Sequence, residues 1–410
     1  MTDRPKHLNV WLRGELVAQI DDQRDLPLRY VGATLNEKRG QPVLSCSLPV
    51  SNRPTKAKAF FDGVLPEGIF RSALASKANV VANDTFGLVA HYGRDILGAV
   101  VVDVADRSDD RTPGVVDLSK GELADEVANL PERPLGVYDD SELSIPGLQN
   151  KMLLVRTDTG WARPIHGTPS THILKLDSQA HPGVVASEVD AMTLAKAVNL
   201  TTVGVQLETL ASVACIIVER FDRITDDHGQ TERIHQEDIC QALGYPPERK
   251  YELPGRGGGT GGGPEFADVA ALLDRHALSP VDELDKLAQT AVFTALIGNN
   301  DAHGKNLALL HRDDSSVSLA PLYDTVPTTL FPKLKYEAAM TIGGAVDLAD
   351  VTPKALRTEA KHWNFDPERM VEQGKVVAER MLTEVQALPK KNGLRQLAAE
   401  RAERFLEDAN

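Results

Sequence analysis

Cysteine is scarce in this chain. Among its 410 residues there are three cysteines, Cys46, Cys215 and Cys240, and no two of them form a C-x-x-C pair. This scarcity argues against a disulfide framework or a zinc site and predicts a protein of the reducing cytoplasm. Long hydrophobic runs are also absent. The longest, such as VACIIV at 213–218, have the length of a strand and are too short to span a bilayer.

Positive charge is in deficit as well. The chain has 45 Lys and Arg against 59 Asp and Glu, which gives a net charge of -14. Phosphate binding depends on clustered Lys and Arg, so this balance argues against a surface devoted to nucleic acid. It favours a basic protein partner instead. The length predicts two or three packed units.

Strand and helix patterns divide the chain into four parts. Short strand-like runs fill residues 1–105, and a polar segment at 106–140 is predicted to be a linker. Residues 141–225 alternate apolar strands with one helical run, which predicts a small sheet with an inserted helix. Residues 226–410 are mostly helical and include a strongly apolar run at 284–298.

Glycine is concentrated in one low-complexity stretch, GRGGGTGGG at 255–263. A phosphate-binding P-loop needs a strand before it and a Lys followed by Ser or Thr after it, and neither is present. The pattern therefore favours a flexible surface loop over a phosphate site.

The octapeptide NNDAHGKN at 299–306 carries the clearest chemical signal. Asp301 and Asn306 are five positions apart, as in the catalytic loop of protein kinases, and Asp324 follows one short strand later. Phosphoryl transfer needs a positioned hydroxyl and a hard cation, and Mg²⁺ prefers carboxylate and amide oxygens. Read alone, the octapeptide is equally well explained as a turn after a helix.

An upstream set of residues favours the kinase interpretation. The glycine turn of SIPGLQNK at 144–151 could cover ATP phosphates with backbone N–H groups and the ammonium of Lys151, although a plain hairpin turn fits it too. Lys175 lies in the apolar strand THILKL, either as an edge-strand residue or as the lysine that pairs with phosphates. Glu188 follows thirteen residues later and could pair with Lys175 as in kinases, or lie as a carboxylate on a helix surface.

Two further segments fit the same scheme. A buried strand ending in Glu219, Arg220 and Phe221 is similar to the hinge between kinase lobes, where backbone groups bind adenine; the alternative is a strand that exits to solvent. His303 and Lys305 could add positive charge near the phosphates.

The order of these pieces resembles the HipA-type serine/threonine kinases, the toxin components of HipBA toxin–antitoxin modules. The resemblance covers nearly the whole chain. It is carried by FFDGVLPEG (60–68), YGRDILGAV (92–100), SIPGLQNK (144–151), THILKL (171–176), VERFDR (218–223), HQEDICQALG (235–244), IGNNDAHGKN (297–306), LAPLYD (319–324) and AMTIGG (339–344).

This resemblance implies a role for each matching residue, with ATP and Mg²⁺ as cofactors. Asp301 matches the catalytic aspartate, Asn306 and Asp324 match the metal ligands, and Ser144 matches a serine that family members phosphorylate on themselves, which expels the loop and inactivates the kinase. The residues that match ATP contacts are Pro146, Gly147, Leu148, Gln149, Asn150, Lys151, Lys175, Glu219, Arg220, Phe221, His303, Gly304, Lys305, Asn306, Tyr323 and Asp324.

The resemblance also implies a fold and partners. The expected fold is α+β and two-lobed, with a β-rich N-terminal subdomain at 1–105, the nucleotide-binding sheet of the N-lobe at 141–225 and an all-helical C-terminal lobe at 226–410. The expected partners are a small helix-turn-helix, HipB-like antitoxin that binds operator DNA and a protein substrate, which in some members is an aminoacyl-tRNA synthetase. DNA contact is expected only through the antitoxin. Departures from the family at Pro146, Leu148 and Asn150 put substrate choice in doubt. A small-molecule kinase and a catalytically silent co-repressor remain as alternatives.

Overall fold

The N-terminal part of the chain folds around a five-stranded antiparallel sheet. The computed structural model describes residues 4–104, 112–133, 135–147, 149–177, 180–253, 262–334, 337–389 and 392–409. The strand order is β4-β3-β2-β1-β5, with β1 (His7–Leu12), β2 (Glu15–Asp21), β3 (Pro27–Tyr30), β4 (Thr55–Lys56) and β5 (Val100–Val104). The helices of this part are α1 (Gly32–Glu37), α2 (Lys58–Gly63), α3 (Gly68–Lys77) and α4 (Thr85–Tyr92). Alternation along β3 buries Leu28 and Tyr30 and leaves Arg29 in solvent.

A second sheet has six antiparallel strands in the order β10-β11-β9-β7-β8-β6. Its strands are β6 (Gly114–Leu118), β7 (Lys151–Thr157), β8 (Gly160–Ile165), β9 (His172–Leu176), β10 (Val205–Leu210) and β11 (Val213–Glu219). Helix α6 (Val184–Ala197) is inserted between β9 and β10, as the periodicity predicts.

The segment expected to be a linker, 106–140, has regular structure in much of its described part. Strand β6 pairs with β8 at the edge of the second sheet. Helix α5 (Lys120–Asn129) begins at Ser119, whose side chain and that of Glu122 form a capping box. Leu123 and Val127 of α5 are buried in the same apolar cluster as residues of the sheet. The expectation of a simple linker is therefore wrong for 114–129, because its few apolar residues suffice to bury one face of a helix. Residues 106–111 and 134 of that segment, and 255–261 of the glycine-rich stretch, lie outside the described residues.

The C-terminal part is mainly helical, with α7 (Ile239–Leu243), α8 (Phe266–His276), α9 (Pro280–Ile297), α10 (Pro353–His362), α11 (Pro367–Glu384) and α12 (Gly393–Ala409). The α+β class is confirmed, but this lobe is not all-helical. A hairpin of β12 (Arg223–Thr225) and β13 (Thr231–Arg233) begins it, and β14 (Gln236–Asp238), β15 (Ala308–His311) and β16 (Val317–Leu319) form a three-stranded sheet. These strands are only three or four residues long, too short to show a two-residue period. No helix in the described part of the chain is long and apolar enough to cross a membrane.

Helix α9 positions the octapeptide 299–306. Pro280 at its first position and the acidic residues Asp282 and Glu283 in its first turn favour its start. Its side chains form much of the core of the lobe. It ends at Gly298, whose φ of +71° is the left-handed conformation that stops a helix, and where a Cβ would lie 2.2 Å from Thr329 Oγ1. The chain therefore leaves the core at a fixed point immediately before Asn299.

A buried cluster of charges joins the N-terminal subdomain to the chain beyond β11. The Asp95 carboxylate accepts hydrogen bonds from Ser170 N (3.0 Å) and from Arg223 Nη2 (3.0 Å). Asp222 accepts from Gly98 N (2.7 Å) and pairs with Arg220 (2.8 Å). All four charged side chains are at most 2% exposed. Burial opposes ionisation, but the arginines outweigh it and hold the pKa values of both aspartates below their ordinary range.

We expect removal of one carboxylate from this cluster to be strongly destabilising. Asp95→Ala removes a carboxylate that balances the buried charge of Arg223. In comparable buried ion pairs, the loss of one partner lowers the free energy of unfolding by about 3–5 kcal/mol. Urea unfolding followed by tryptophan fluorescence measures the loss. The control is Glu368→Ala, which breaks the exposed pair with Arg357 and should leave the urea midpoint unchanged. Equal midpoints for Asp95→Ala and the wild type would contradict a structural role for the cluster.

Candidate active site

One cavity of about 340 Å³ lies between the six-stranded sheet and the helical lobe. Most residues singled out from the sequence line it together: Pro146, Gly147, Gln149, Lys151, Lys175, Glu219, Arg220, Phe221, Asp301, His303, Lys305, Asn306, Tyr323 and Asp324. These residues come from segments up to 178 positions apart, so the fold brings the upstream and downstream sets to one place.

The glycine turn before β7 covers one side of the cavity. Gly147 has a φ of +111°, and a Cβ at this position would lie 2.5 Å from Lys151 Nζ. The Lys151 ammonium donates to Pro146 O at 2.7 Å, which holds the turn against the sheet. Burial, and then the nearby Lys175 ammonium, lower the pKa of Lys151 to about 8. Glycine is required here because the backbone is left-handed and lies close to the lysine.

Lys175 of β9 joins two carboxylates. Its Nζ donates to Glu188 Oε1 of α6 at 2.8 Å and to Asp324 Oδ1. The predicted lysine–glutamate pair is thus present. Burial disfavours the ammonium, but the two carboxylates outweigh it and raise the pKa of Lys175. Lys175 also acts on Asp324. Burial alone would raise the pKa of this carboxyl, but the Lys175 ammonium outweighs that effect and lowers the pKa to about 2. Asp324 has a φ of +50°, which is uncommon for a residue other than glycine.

Asp301 is held by contacts on several sides. Its backbone N donates to Asn299 Oδ1 at 3.1 Å, and its carbonyl accepts from Asn306 Nδ2 at 2.9 Å. Its Oδ1 accepts from the hydroxyl of Tyr251 at 3.2 Å. Asn299 Nδ2 in turn donates to Thr325 Oγ1 at 3.1 Å, which ties the octapeptide to the residue after Asp324.

His303 and Lys305 do not supply the positive charge expected of them. Burial, and then the nearby Lys250, hold the pKa of His303 well below its ordinary value, so the ring is neutral at physiological pH. The Lys305 ammonium donates to Asp238 Oδ2 at 2.6 Å and to Gly63 O at 2.9 Å. Its charge is therefore compensated within the protein, and that expectation is corrected.

The hinge segment contributes Glu219, Arg220 and Phe221 to the lining of the cavity. Arg220 N donates to Thr171 O at 2.9 Å, while the Arg220 guanidinium belongs to the buried charge cluster. The rings of Phe221 and Tyr323 lie 5.1 Å apart, centroid to centroid, and form an aromatic wall. Such a wall suits a flat heteroaromatic base.

Three of the named residues are absent from the described lining of the cavity. Asn150 uses its carbonyl to accept from Leu176 N at 2.9 Å, and Gly304 N donates to Lys250 O at 3.0 Å. Ser144 is fully buried, and its hydroxyl donates to Val64 O at 3.0 Å. Leu148 lies outside the described residues.

The cavity also contains residues for which the sequence predicted no role, among them Glu67, Lys250 and Tyr251. Glu67 is the penultimate residue of the motif FFDGVLPEG, which supports the family resemblance but has no recognisable chemistry on its own. Lys250 and Tyr251 precede the glycine-rich stretch, and nothing in their local pattern distinguishes them from a surface loop.

Asn306 and Asp324 fit the metal that the family resemblance implies. Both line the cavity, and the low pKa of Asp324 keeps its carboxylate ionised. The Asn306 amide donates through Nδ2 to Asp301 O, which leaves its oxygen as the acceptor end of the group. One carboxylate and one amide oxygen are donors that Mg²⁺ accepts beside phosphate oxygens.

The fold and the cavity together define a two-lobed protein of the kinase-like class. Comparison with known families is decisive: the HipA N-terminal domain matches residues 8–103, and the HipA-like C-terminal domain matches residues 143–391. The chain belongs to the HipA family.

Two similar proteins and one solved structure support the assignment to the HipA family. A protein of Sinorhizobium fredii named as a kinase, Y4mE, is 36% identical over 365 residues, covering 86% of this chain and 85% of that protein. The serine/threonine-protein kinase toxin HipA of Shewanella oneidensis is 29% identical over 323 residues, covering 74% of this chain and 71% of that protein. The solved complex of HipA, HipB and operator DNA from Shewanella oneidensis contains a chain that matches with a TM-score of 0.81 at 24% identity, over 98% of both chains, and confirms the fold.

The lowered pKa of Lys151 predicts a pH-dependent stability. Below about pH 8 the Lys151 ammonium is protonated in both the folded and the unfolded state, and its burial lowers the free energy of unfolding. Between that pH and the ordinary pKa of 10.5, Lys151 loses its proton in the folded protein but keeps it in the unfolded chain. The cost of burying the charge therefore falls as the pH rises. Relative to Lys151→Met, the wild type should gain roughly 2 kcal/mol of unfolding free energy between pH 7.5 and 9.5.

Urea unfolding of both proteins at the two pH values, without added nucleotide, measures this gain. The matched control is Lys56→Met, since the Lys56 side chain is 82% exposed and its difference from the wild type should not change with pH. A Lys151→Met difference that is equally constant would show that this lysine has an ordinary pKa.

Proposed function

We propose that the protein is an ATP- and Mg²⁺-dependent serine/threonine protein kinase. The observation that carries the proposal is the link from Lys175 to both Glu188 and Asp324, in the cavity that also contains Asp301 and Asn306. A strand lysine paired with a helix glutamate, next to a metal-binding aspartate, is the arrangement that phosphoryl transfer from ATP requires.

Each residue has a distinct role in the proposed reaction. The hinge backbone and the Phe221 ring bind adenine, and Lys175, oriented by Glu188, binds the phosphates. Asp301 orients the acceptor hydroxyl and takes its proton. Mg²⁺, held by Asn306 and Asp324, would neutralise phosphate charge when bound. Correct placement of these groups supplies most of the rate, because phosphoryl transfer leaves little covalent work to the protein.

The same proposal extends to biological role. The family membership and the relative named as a toxin support a growth-inhibiting kinase that is neutralised by a helix-turn-helix, HipB-like antitoxin, with DNA contact only through that partner. The net charge of -14 suits a basic partner. The proposed substrate is a protein serine or threonine in a translation component, with an aminoacyl-tRNA synthetase as the first candidate to test.

Replacement of Asp301 tests the proposal directly. Asp301→Ala removes the group that orients the hydroxyl and accepts its proton, so transfer from γ-labelled ATP to protein should fall at least about 100-fold. ADP affinity should stay within about twofold, because Asp301 is not proposed to bind the diphosphate. Asp314→Ala, which changes an exposed turn residue, should transfer at the wild-type rate.

The three functions weighed from the sequence give different results in this assay. A small-molecule kinase would label small hydroxyl compounds and no protein. A silent co-repressor would consume no ATP in either the wild type or Asp301→Ala, and that result would refute the proposed kinase.

Ser144 is proposed as a self-inactivating switch. Its side chain is fully buried against Val64, and its backbone N donates to Asp95 O at 3.0 Å. A phosphoserine carries about -1.5 to -2 charge at neutral pH and has no place in this contact. Modification must therefore follow local opening of residues 141–147, and the added charge prevents their return beside the cavity.

Incubation with Mg-ATP should accordingly inactivate the wild type over time. We expect phosphate at Ser144 by mass spectrometry, a loss of affinity for fresh ATP and faster proteolysis near residues 141–147. Ser144→Ala should keep its activity under the same conditions. Inactivation of Ser144→Ala at the wild-type rate would place the switch elsewhere.

A further inference from the structure

The segment around Lys250 and Tyr251 lies directly on the octapeptide 299–306. The Lys250 carbonyl accepts from Gly304 N at 3.0 Å, and the Tyr251 hydroxyl donates to Asp301 Oδ1 at 3.2 Å. The Tyr251 ring also meets the His303 ring edge-on, with centroids 5.1 Å apart. Backbone and side chain thus fix this dipeptide next to the proposed proton acceptor.

The Lys250 side chain has its partner in the other part of the molecule. Its Nζ donates to Glu67 Oε2 at 2.9 Å, and Glu67 comes from the N-terminal subdomain, at the start of α3. The second carboxylate oxygen, Glu67 Oε1, is buried without a hydrogen-bond partner. Lys250 and Glu67 both line the cavity, and their side chains are 12% and 19% exposed.

Each of the other described lysine and arginine side chains that line the cavity has a hydrogen-bond partner within the protein. Lys175 is held by Glu188 and Asp324, and Lys305 by Asp238 and Gly63. Arg220 is bound within the buried cluster around Asp222. Lys151 begins β7 and donates to the carbonyl of Pro146 in the glycine turn. Lys250 differs from these in being held by the single carboxylate of Glu67 and in lying next to Tyr251, whose hydroxyl contacts Asp301.

Phosphoryl transfer needs a cation at this point. As the bond from the γ-phosphorus to the bridging oxygen breaks and the bond to the acceptor hydroxyl forms, negative charge is shared by the three equatorial oxygens. The hydroxyl proton passes to Asp301, and ADP leaves with the bridging oxygen. A fixed cation on the Asp301 side stabilises this distribution without changing its own protonation.

We propose that Lys250 is a further catalytic residue, which contacts the γ-phosphoryl group of ATP, and that Glu67 positions its ammonium for this contact. The inference rests on the proposed kinase function. It makes the N-terminal subdomain part of the active site, because Glu67 is its contribution to phosphate recognition.

Nucleotide binding by the full chain tests the contact without depending on turnover. In the presence of Mg²⁺, the affinities for ADP and for a non-hydrolysable ATP analogue are compared in the wild type, Lys250→Met and Lys250→Arg. ADP has no γ-phosphate, so Lys250→Met should bind it within about twofold of the wild type and should bind the analogue at least about tenfold more weakly. Lys250→Arg keeps the charge and should fall in between.

Transfer from γ-labelled ATP gives the second readout. Lys250→Met should lose at least about 100-fold in rate at saturating ATP, and Glu67→Gln should lose less, since it disturbs only the position of the ammonium. The exposed control Lys56→Met should match the wild type in both measurements.

The outcomes separate this inference from the function on which it rests. If the wild type binds neither nucleotide, the kinase proposal itself fails. If the wild type binds and transfers normally but Lys250→Met weakens ADP and the analogue equally, or weakens neither, Lys250 does not contact the γ-phosphate and the inference is overturned.

Discussion

The arrangement of the active site depends on the buried charges of Asp95, Arg220, Asp222 and Arg223. Removing such charges from water is costly, and the cost is offset only when each finds partners with good geometry. Here the partners come from three parts of the chain: Asp95 and Gly98 from the N-terminal subdomain, Arg220 to Arg223 from the hinge, and Gln236 from the helical lobe, whose Nε2 donates to Asp222 at 3.0 Å. Phe221, which faces the cavity, sits between two members of the cluster. The wall that is proposed to bind adenine is therefore fixed by the buried charges on either side of Phe221.

The same cluster reaches the opposite side of the cavity through the backbone of Asp95. Asp95 N donates to Glu142 O and Asp95 O accepts from Ser144 N, both at 3.0 Å. The side chain of Asp95 thus holds the hinge, while its main chain holds the start of the glycine turn. The two attachments differ in strength. The hinge is bound by several charge-assisted hydrogen bonds in the interior. The turn is bound by two neutral backbone hydrogen bonds, the Ser144 hydroxyl and one charge-assisted bond, from the Lys151 ammonium to the Pro146 carbonyl. The turn can open while the hinge stays in place, which is the property that a switch at Ser144 requires.

Sequence reasoning correctly placed residues together in the structure where their positions depend on short spacing or on strong periodicity. The five-residue separation of Asp301 and Asn306, the thirteen residues from Lys175 to Glu188 and the apolar run of α9 all have consequences that local geometry determines. It failed where a residue's partner is distant in the chain. Lys305 was expected near phosphates, but its partner is Asp238, 67 positions earlier. The sequence predicted no role for Lys250, because its partner, Glu67, lies 183 positions away in the chain. Spacing carries no information about such pairs, and only the tertiary packing of the chain creates them.

Lys175 and Asp324 show how the cavity keeps opposite charges ready for a polyanion and its metal. An aspartate beside a glutamate in a buried site would ordinarily hold a shared proton, because two carboxylates repel each other. Lys175 pairs with both and lowers the pKa of Asp324 to about 2, so that this carboxylate stays ionised, while burial raises the pKa of Glu188. Glu188 has the more buried carboxylate and is the permanent partner, at 2% side-chain exposure against 42% for Asp324. In the proposed kinase, Asp324 would exchange the lysine for a metal ion, while Lys175 would retain Glu188 and gain phosphate oxygens. Neither charge is left uncompensated at any stage, which is why a lysine with two carboxylates suits this position better than a simple ion pair.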